Sequence, residues 1–209
     1  MTFPDDIFTE PEPDPDTLAN LGPLRPMAGT WSGTVGTDSH PNAVGTEDDR
    51  YVEHYELTPI DAQTNGPQLF YGLHYRTRIT KPGQIEAFHD QTGYWLWEPA
   101  TGGIVLTLSI PRGQVAMAGG TAASDATTFE VSARSGDPHF GIITNPFLDY
   151  AFHTVAFTMT VTVTSDAEWS YHQDTTLEVR GVGGTFPHTD RNTLARVAPP
   201  VPNPMAQTI

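Results

Sequence analysis

At 209 residues the chain has the length of one domain with a sizeable core, and 25 acidic against 10 basic residues leave it a formal net charge of -15. A field of that sign repels polyphosphate backbones and anionic lipid surfaces, so neither a nucleic acid nor a membrane is expected as a partner. The absence of cysteine excludes disulfides, thiolate metal centres, iron–sulfur clusters and a cysteine nucleophile, so any metal must be held by histidine and carboxylate.

The 19 Gly and 19 Pro punctuate the chain too often for a helical bundle and suit many short strands joined by turns. Residues 1–16 (MTFPDDIFTEPEPDPD) are rich in Pro, Asp and Glu and poor in core formers, and read as a flexible acidic N-terminus. No basic segment leads into a long apolar run there, and no stretch of about 18 apolar residues occurs elsewhere, so a cytoplasmic location is expected. Asp16-Thr-Leu-Ala-Asn-Leu-Gly22 then predicts a short helix, with Asp16 as N-cap and Gly22 near its end, serving as a lid or plug.

From Met27 onward, apolar and β-branched residues alternate with polar ones until a turn cluster interrupts them, predicting strands near 28–36, 49–58, 68–80, 84–98, 103–110, 113–121, 127–134, 152–164, 168–181 and 190–197. The clearest is Phe157-Thr-Met159-Thr-Val161-Thr-Val163, apolar on one face and threonine on the other. Thr164-Ser-Asp-Ala167 turns it into Trp169-Ser-Tyr171, and Ala100-Thr-Gly-Gly103 joins Tyr94-Trp-Leu-Trp97 to Ile104-Val-Leu-Thr-Leu108 in the same way. A meander of about ten antiparallel strands loses its exposed edges by closing on itself. The expected fold is therefore all-β, an antiparallel up-and-down barrel of residues 17–197 with a short N-terminal helix, followed by a Pro-rich tail at 198–209. Residues 136–156 align with no element of a known family and read as a subfamily insertion shaping one cavity wall.

Three segments carry a family resemblance. Gly29-Thr-Trp31-Ser-Gly33, after the short helix, resembles the GxWxGxG motif of barrels related to nitrobindin and the fatty-acid-binding proteins, although Val35 stands at the last glycine and Gly36 follows it. Ala87-Phe-His89-Asp90-Gln-Thr-Gly93-Tyr94-Trp95 and Ile110-Pro-Arg112-Gly-Gln-Val115 resemble that family's central strand and the loop near its heme. Most specific is Thr185-Phe-Pro187-His188-Thr-Asp190-Arg-Asn-Thr-Leu194-Ala-Arg196, similar to the C-terminal Pro-His segment of the nitrobindin-like heme-binding family, with one residue more between His and Leu. The resemblance implies heme b, its iron held by His188 after the φ-locked Pro187, with His89 and Arg112 beside the cofactor.

On residues alone, His188 reads either as a solvated loop histidine or as a ligand, and His89 either as a pocket group or as a strand histidine beside Asp90. His54 and His74, flanked by tyrosines, suggest a polar network. His188-Thr-Asp190 also has the H-x-D half of a 2-His-1-carboxylate iron site, whose missing ligand would have to come from upstream because no histidine follows. No G-x-S-x-G elbow, Walker loop or G-x-G-x-x-G after a strand occurs.

The leading expectation is thus a heme b barrel reacting with nitric oxide and peroxynitrite and isomerising the latter to nitrate, as the resemblance implies. Its alternative is a non-enzymatic carrier of a fatty acid or other small hydrophobic ligand, with Arg112 pairing with a carboxylate headgroup. A barrel with a filled interior that binds only protein partners is a third class. Oligomeric state is not legible in the sequence, a homodimer being one option.

Overall fold

Period-two alternation of apolar residues governs the architecture. The computed structural model describes residues 4–208, and in it the alternating segments close into one barrel. In chain order a single-turn helix α1 (Thr17–Asn20) and a 3-10 segment, Gly22–Met27, precede β1 (Gly29–Asn42), β2 (Gly45–Asn65), β3 (Gln68–Thr80), β4 (Ala87–Glu98), β5 (Gly103–Ile110) and β6 (Gln114–Thr121). Then come β7 (Thr128–Ser135), β8 (Gly141–Thr144), helix α2 (Pro146–Ala151), β9 (Phe152–Ser165), β10 (Glu168–Val179) and β11 (Phe186–Ala198). Around the barrel the order is β1-β11-β10-β9-β7-β8-β6-β5-β4-β3-β2.

The all-β barrel expected from the sequence is present, with eleven strands among the described residues rather than about ten. The extra one, β8, lies in the unassigned 136–156 segment. Strands β6 and β7 pair at Gly119 and Ser132, and β8 fills the wedge between them, antiparallel to β6 and parallel to β7. At four residues, Gly-Ile-Ile-Thr is too short to display an alternation. Strand β11 also begins four residues before the expected start, which places His188 inside a strand instead of ahead of one.

One end of the barrel is plugged. Asp16 caps α1 by accepting the Ala19 N–H at 3.1 Å. Leu21, Leu24, Met27 and Ala28 from the helical segments, with Trp31, Trp95, Leu73 and Trp169 from four strands, are all 0% exposed. Trp31 and Trp169 meet edge to face at 6.1 Å, and Trp31 donates its indole N–H to the Met27 carbonyl at 2.7 Å. Arg196 lies 4.2 Å over the Trp31 ring, and its guanidinium donates to the Ala28 and Pro26 carbonyls at 2.6 and 2.8 Å, tying β11 to the plug.

The motif glycines have specific causes. A side chain at Gly33 would run into Asn192, and one at Gly36 would enter the Tyr51 ring. The pairing of β1 with β2 slips between Gly33 and Gly36, a bulge that turns Val35 outward and brings Gly36 to the inner face. The glycine displaced by one position in the motif therefore still does its packing duty.

Candidate functional site

The opposite end of the barrel is open. Here the inward positions carry His89, Gln91, Ile110, Gln114, Ala116, Gln173, Thr175, His188 and Asp190, which point inside by alternation yet stay partly exposed, so solvent reaches the inner wall. Among them Leu108, Phe157, Met159 and Leu177 are buried and give the mouth apolar walls, Phe157 and Met159 level with Thr175 and Gln173 and Leu177 one step beyond His188 toward the rim.

His188 faces into this mouth. Regular pairing of β10 with β11 runs unbroken from Leu177–Phe186 to Glu168–Ala195, so His188, Asp190, Asn192 and Leu194 share the inner face. The separation of six residues between His188 and Leu194 is even and keeps both inside without a bulge. Nε2 of His188 lies 2.9 Å from Asp38 Oδ1 and 3.5 Å from Asp190 Oδ2, while Nδ1 makes no hydrogen bond among the described residues. Burial works to lower the His188 pKa, but the bond to Asp38 and the charges of Asp190 and Asp38 outweigh it and raise it. Burial likewise works to raise the Asp38 pKa, and the hydrogen bond and charges of His188 and His40 bring it below the usual carboxylate value. For Asp190, burial and the nearby Asp38 and Glu53 charges prevail over His188 and raise the pKa.

His89 and Arg112 join His188 in the same mouth, where the Arg112 charge acts to lower the pKa of both histidines. Alternation on β4 turns His89 inward and Asp90 outward, where Asp90 pairs with Arg76 at 2.6 Å. Burial, helped by the Arg112 charge, pushes the His89 pKa down and keeps the ring neutral. Arg112, in the turn between β5 and β6, donates to the Phe88 carbonyl at 2.5 Å and accepts at its own carbonyl from Asn145, the N-cap of α2. It thereby ties three segments of the rim. Pro187 is exposed on the other face of β11, so what it gives His188 is backbone restraint.

His54 and His74 stand outside. His54 is 50% exposed in its side chain and pairs with Glu56 at 2.9 Å, and His74 bonds Thr92 on the outer wall. The inner polar network is built instead on Glu53. Its buried carboxylate accepts from Thr77 at 2.7 Å, Tyr171 at 2.8 Å and Asn192 at 3.0 Å, and the Tyr171 hydroxyl meets that of Tyr51 at 2.8 Å. Burial raises the Glu53 pKa against these three bonds. Glu53 was readable in principle: in Tyr51-x-Glu53-x-Tyr55 it shares the tyrosines' face and His54 does not. Asp38 and His40 had no comparable signal, because only the pairing of β1 with β11 brings them to His188.

Two concavities, of about 360 and 300 Å³, lie on the outer wall, one over β9, β10 and β11 and one over β3, β4 and β5. Neither contains His188, His89 or Arg112, and the chemistry-bearing side chains gather at the mouth instead.

The chain is similar in fold to 13 solved chains. Among them is the crystal structure of Rv2717c from M. tuberculosis, with a TM-score of 0.59 and 21% sequence identity over 86% of this chain and 96% of that one. No curated protein matches the sequence. The family model for the THAP4-like, heme-binding beta-barrel domain matches residues 20–196, from the helical plug through β11. With the plugged barrel, the GxWxG strand and the inward His188 all inside that span, the chain belongs to the THAP4-like heme-binding β-barrel domain family.

Proposed function

We propose that the chain binds heme b through His188 and reacts with nitric oxide and peroxynitrite, converting the latter to nitrate. The observation that carries the reading is the state of the His188 ring: it faces the mouth, one nitrogen is engaged by carboxylates and the other makes no hydrogen bond among the described residues. An imidazole that ligates iron through one nitrogen is held by an acceptor at the other, and Asp38 stands where such an acceptor is needed. The residues present fit the group. Leu108, Phe157, Met159 and Leu177 supply apolar walls, and Arg112 supplies a cation beside the histidine.

A bound ferric heme would supply the redox chemistry by which peroxynitrite rearranges to nitrate. The chain's own part is positioning. Asp38 accepts the Nε2–H and fixes the ring's orientation. Neutral His89 offers a hydrogen bond at the mouth without adding charge. Arg112 attracts small anions that the net charge of -15 otherwise repels.

Hemin titration tests the reading. Wild-type protein is expected to develop a Soret band and to speed the formation of nitrate from peroxynitrite, and His188→Ala is expected to lose both. An unchanged Soret band in His188→Ala would overturn the assignment of the ligand. Absence of the band in wild type, with lipid extracted from the purified protein, would favour the carrier, with Arg112 meeting a carboxylate headgroup.

A further inference from the structure

The wall that presents His188 holds more than one ligand for an iron porphyrin requires. Strand β2 contributes Glu47 and Asp49, β1 contributes His40 and Asp38, and β11 contributes His188 and Asp190, all at inward positions. The register sets Asp38 opposite both Asp49 and Asp190, and His40 opposite Glu47. The His40 and His188 rings meet edge to face at 6.3 Å. Four carboxylates and two imidazoles thus form a grid two residues deep and three strands wide.

Its charges are incompletely balanced. Lys81 pairs with Asp49 at 2.7 Å. Asp38 and Asp190, adjacent across the β1–β11 ladder and mostly buried, have no Lys or Arg partner among the described residues; their partners are His188, His40 and the Gln173 amide. Two carboxylates held side by side away from water need a proton or a cation between them. His40 adds a further open valence: its Nδ1 is shielded from solvent and makes an ion-pair contact with Asp38 Oδ2 at 3.2 Å, but among the described residues it makes no hydrogen bond.

We propose that Asp38, His188 and Asp190, with His40 adjoining, form a binding site for a bare divalent transition-metal ion of the zinc, cobalt or ferrous class. The three donor atoms lie within 4.8 Å of one another, with Nε2 at 2.9 and 3.5 Å from the two carboxylate oxygens. Metal–ligand bonds of about 2.0–2.2 Å place neighbouring donors about 3.0–3.5 Å apart, so the side chains need little movement to close on an ion. Imidazole with carboxylate is the donor set these ions take, and it is the one this cysteine-free chain can offer. The H-x-D pair of β11 finds its upstream complement in Asp38 and His40 of β1. This site uses His188 Nε2, whereas the heme reading uses the nitrogen that Asp38 does not hold. The proposal shares that residue but does not depend on heme.

The test uses the full chain, stripped with a chelator and free of Soret absorbance, titrated with Zn²⁺ by calorimetry and with Co²⁺ by visible absorption. Saturable binding of one ion per chain is expected, with Co²⁺ d–d bands. Asp38→Asn and Asp190→Asn, checked for native circular dichroism, are each expected to weaken binding by about tenfold or more, and Glu47→Gln at the exposed corner by less than about threefold. No saturable binding by wild type, or undiminished binding in both Asp variants, overturns the proposal. A Soret band with hemin but no Zn²⁺ binding removes this site and leaves the heme reading; Zn²⁺ binding without a Soret band does the reverse.

Discussion

The two ends of the barrel are built from the same strands by the same alternation, yet they are filled with opposite chemistry. On β11, Leu194 is fully buried at the plugged end and His188 is partly exposed at the mouth; on β1, Trp31 sits at the plug and Asp38 and His40 at the mouth. The difference separates stability from function along one axis. Apolar side chains at the plug gain by excluding water, whereas titratable ones at the mouth depend on keeping some of it.

The strongest way to break this division is at the plug. Trp31→Ala removes a 0% exposed ring, its bond to Met27 and the surface under Arg196, and is expected to cost about 3–5 kcal/mol in denaturant unfolding. A loss as small as a surface substitution would show that the plug is not where the stability resides.

An intermediate effect is expected midway along the axis, at Glu53. Burial raises its pKa in the folded state, so the stability linked to its proton is complete below the ordinary carboxylate range and is lost as pH rises through the raised value. Wild type should therefore lose about 1.4 kcal/mol for each pH unit separating the folded and unfolded values, and Glu53→Gln should flatten that part of the profile. Thermal melts from pH 4 to 8 would measure it, and parallel profiles for the two proteins would show that Glu53 is not the group responsible.

The smallest stability effect is expected at the mouth. His188 is 28% exposed in its side chain, so the cost of His188→Ala comes from leaving Asp38 and Asp190 unpaired, about 1 kcal/mol once a proton is taken up between them, while the hemin band is abolished. A large loss of stability would merge the two ends into one cooperative structural role and weaken the functional assignment.

How far the sequence could be read follows from the range of each interaction. Alternation is local, so Phe157-x-Met159-x-Val161 announced a strand with a buried face, and Asp16 announced its helix cap. The short helix after Asp16 marked the plug, and the Pro-His pair before Leu194 marked the histidine that the structure turns inward. Strand β8 escaped because four residues carry no period and it exists only to fill the gap that β6 and β7 leave.

By itself, then, the order of residues determined which side of each strand is apolar, where turns fall, that no thiolate could serve as a ligand, and which histidine leads into the C-terminal alternation. Only closure of the barrel decided that Asp38 and His40 would lie across from Asp190 and His188, some 150 residues apart in the chain, and that Glu53 would be enclosed by Thr77, Tyr171 and Asn192. Those pairings depend on ring closure between the first and last strands and on a one-residue bulge at Gly33–Gly36 that sets the register. Neither leaves a local trace, because the free energy that fixes them comes from contacts made only when every strand is in place.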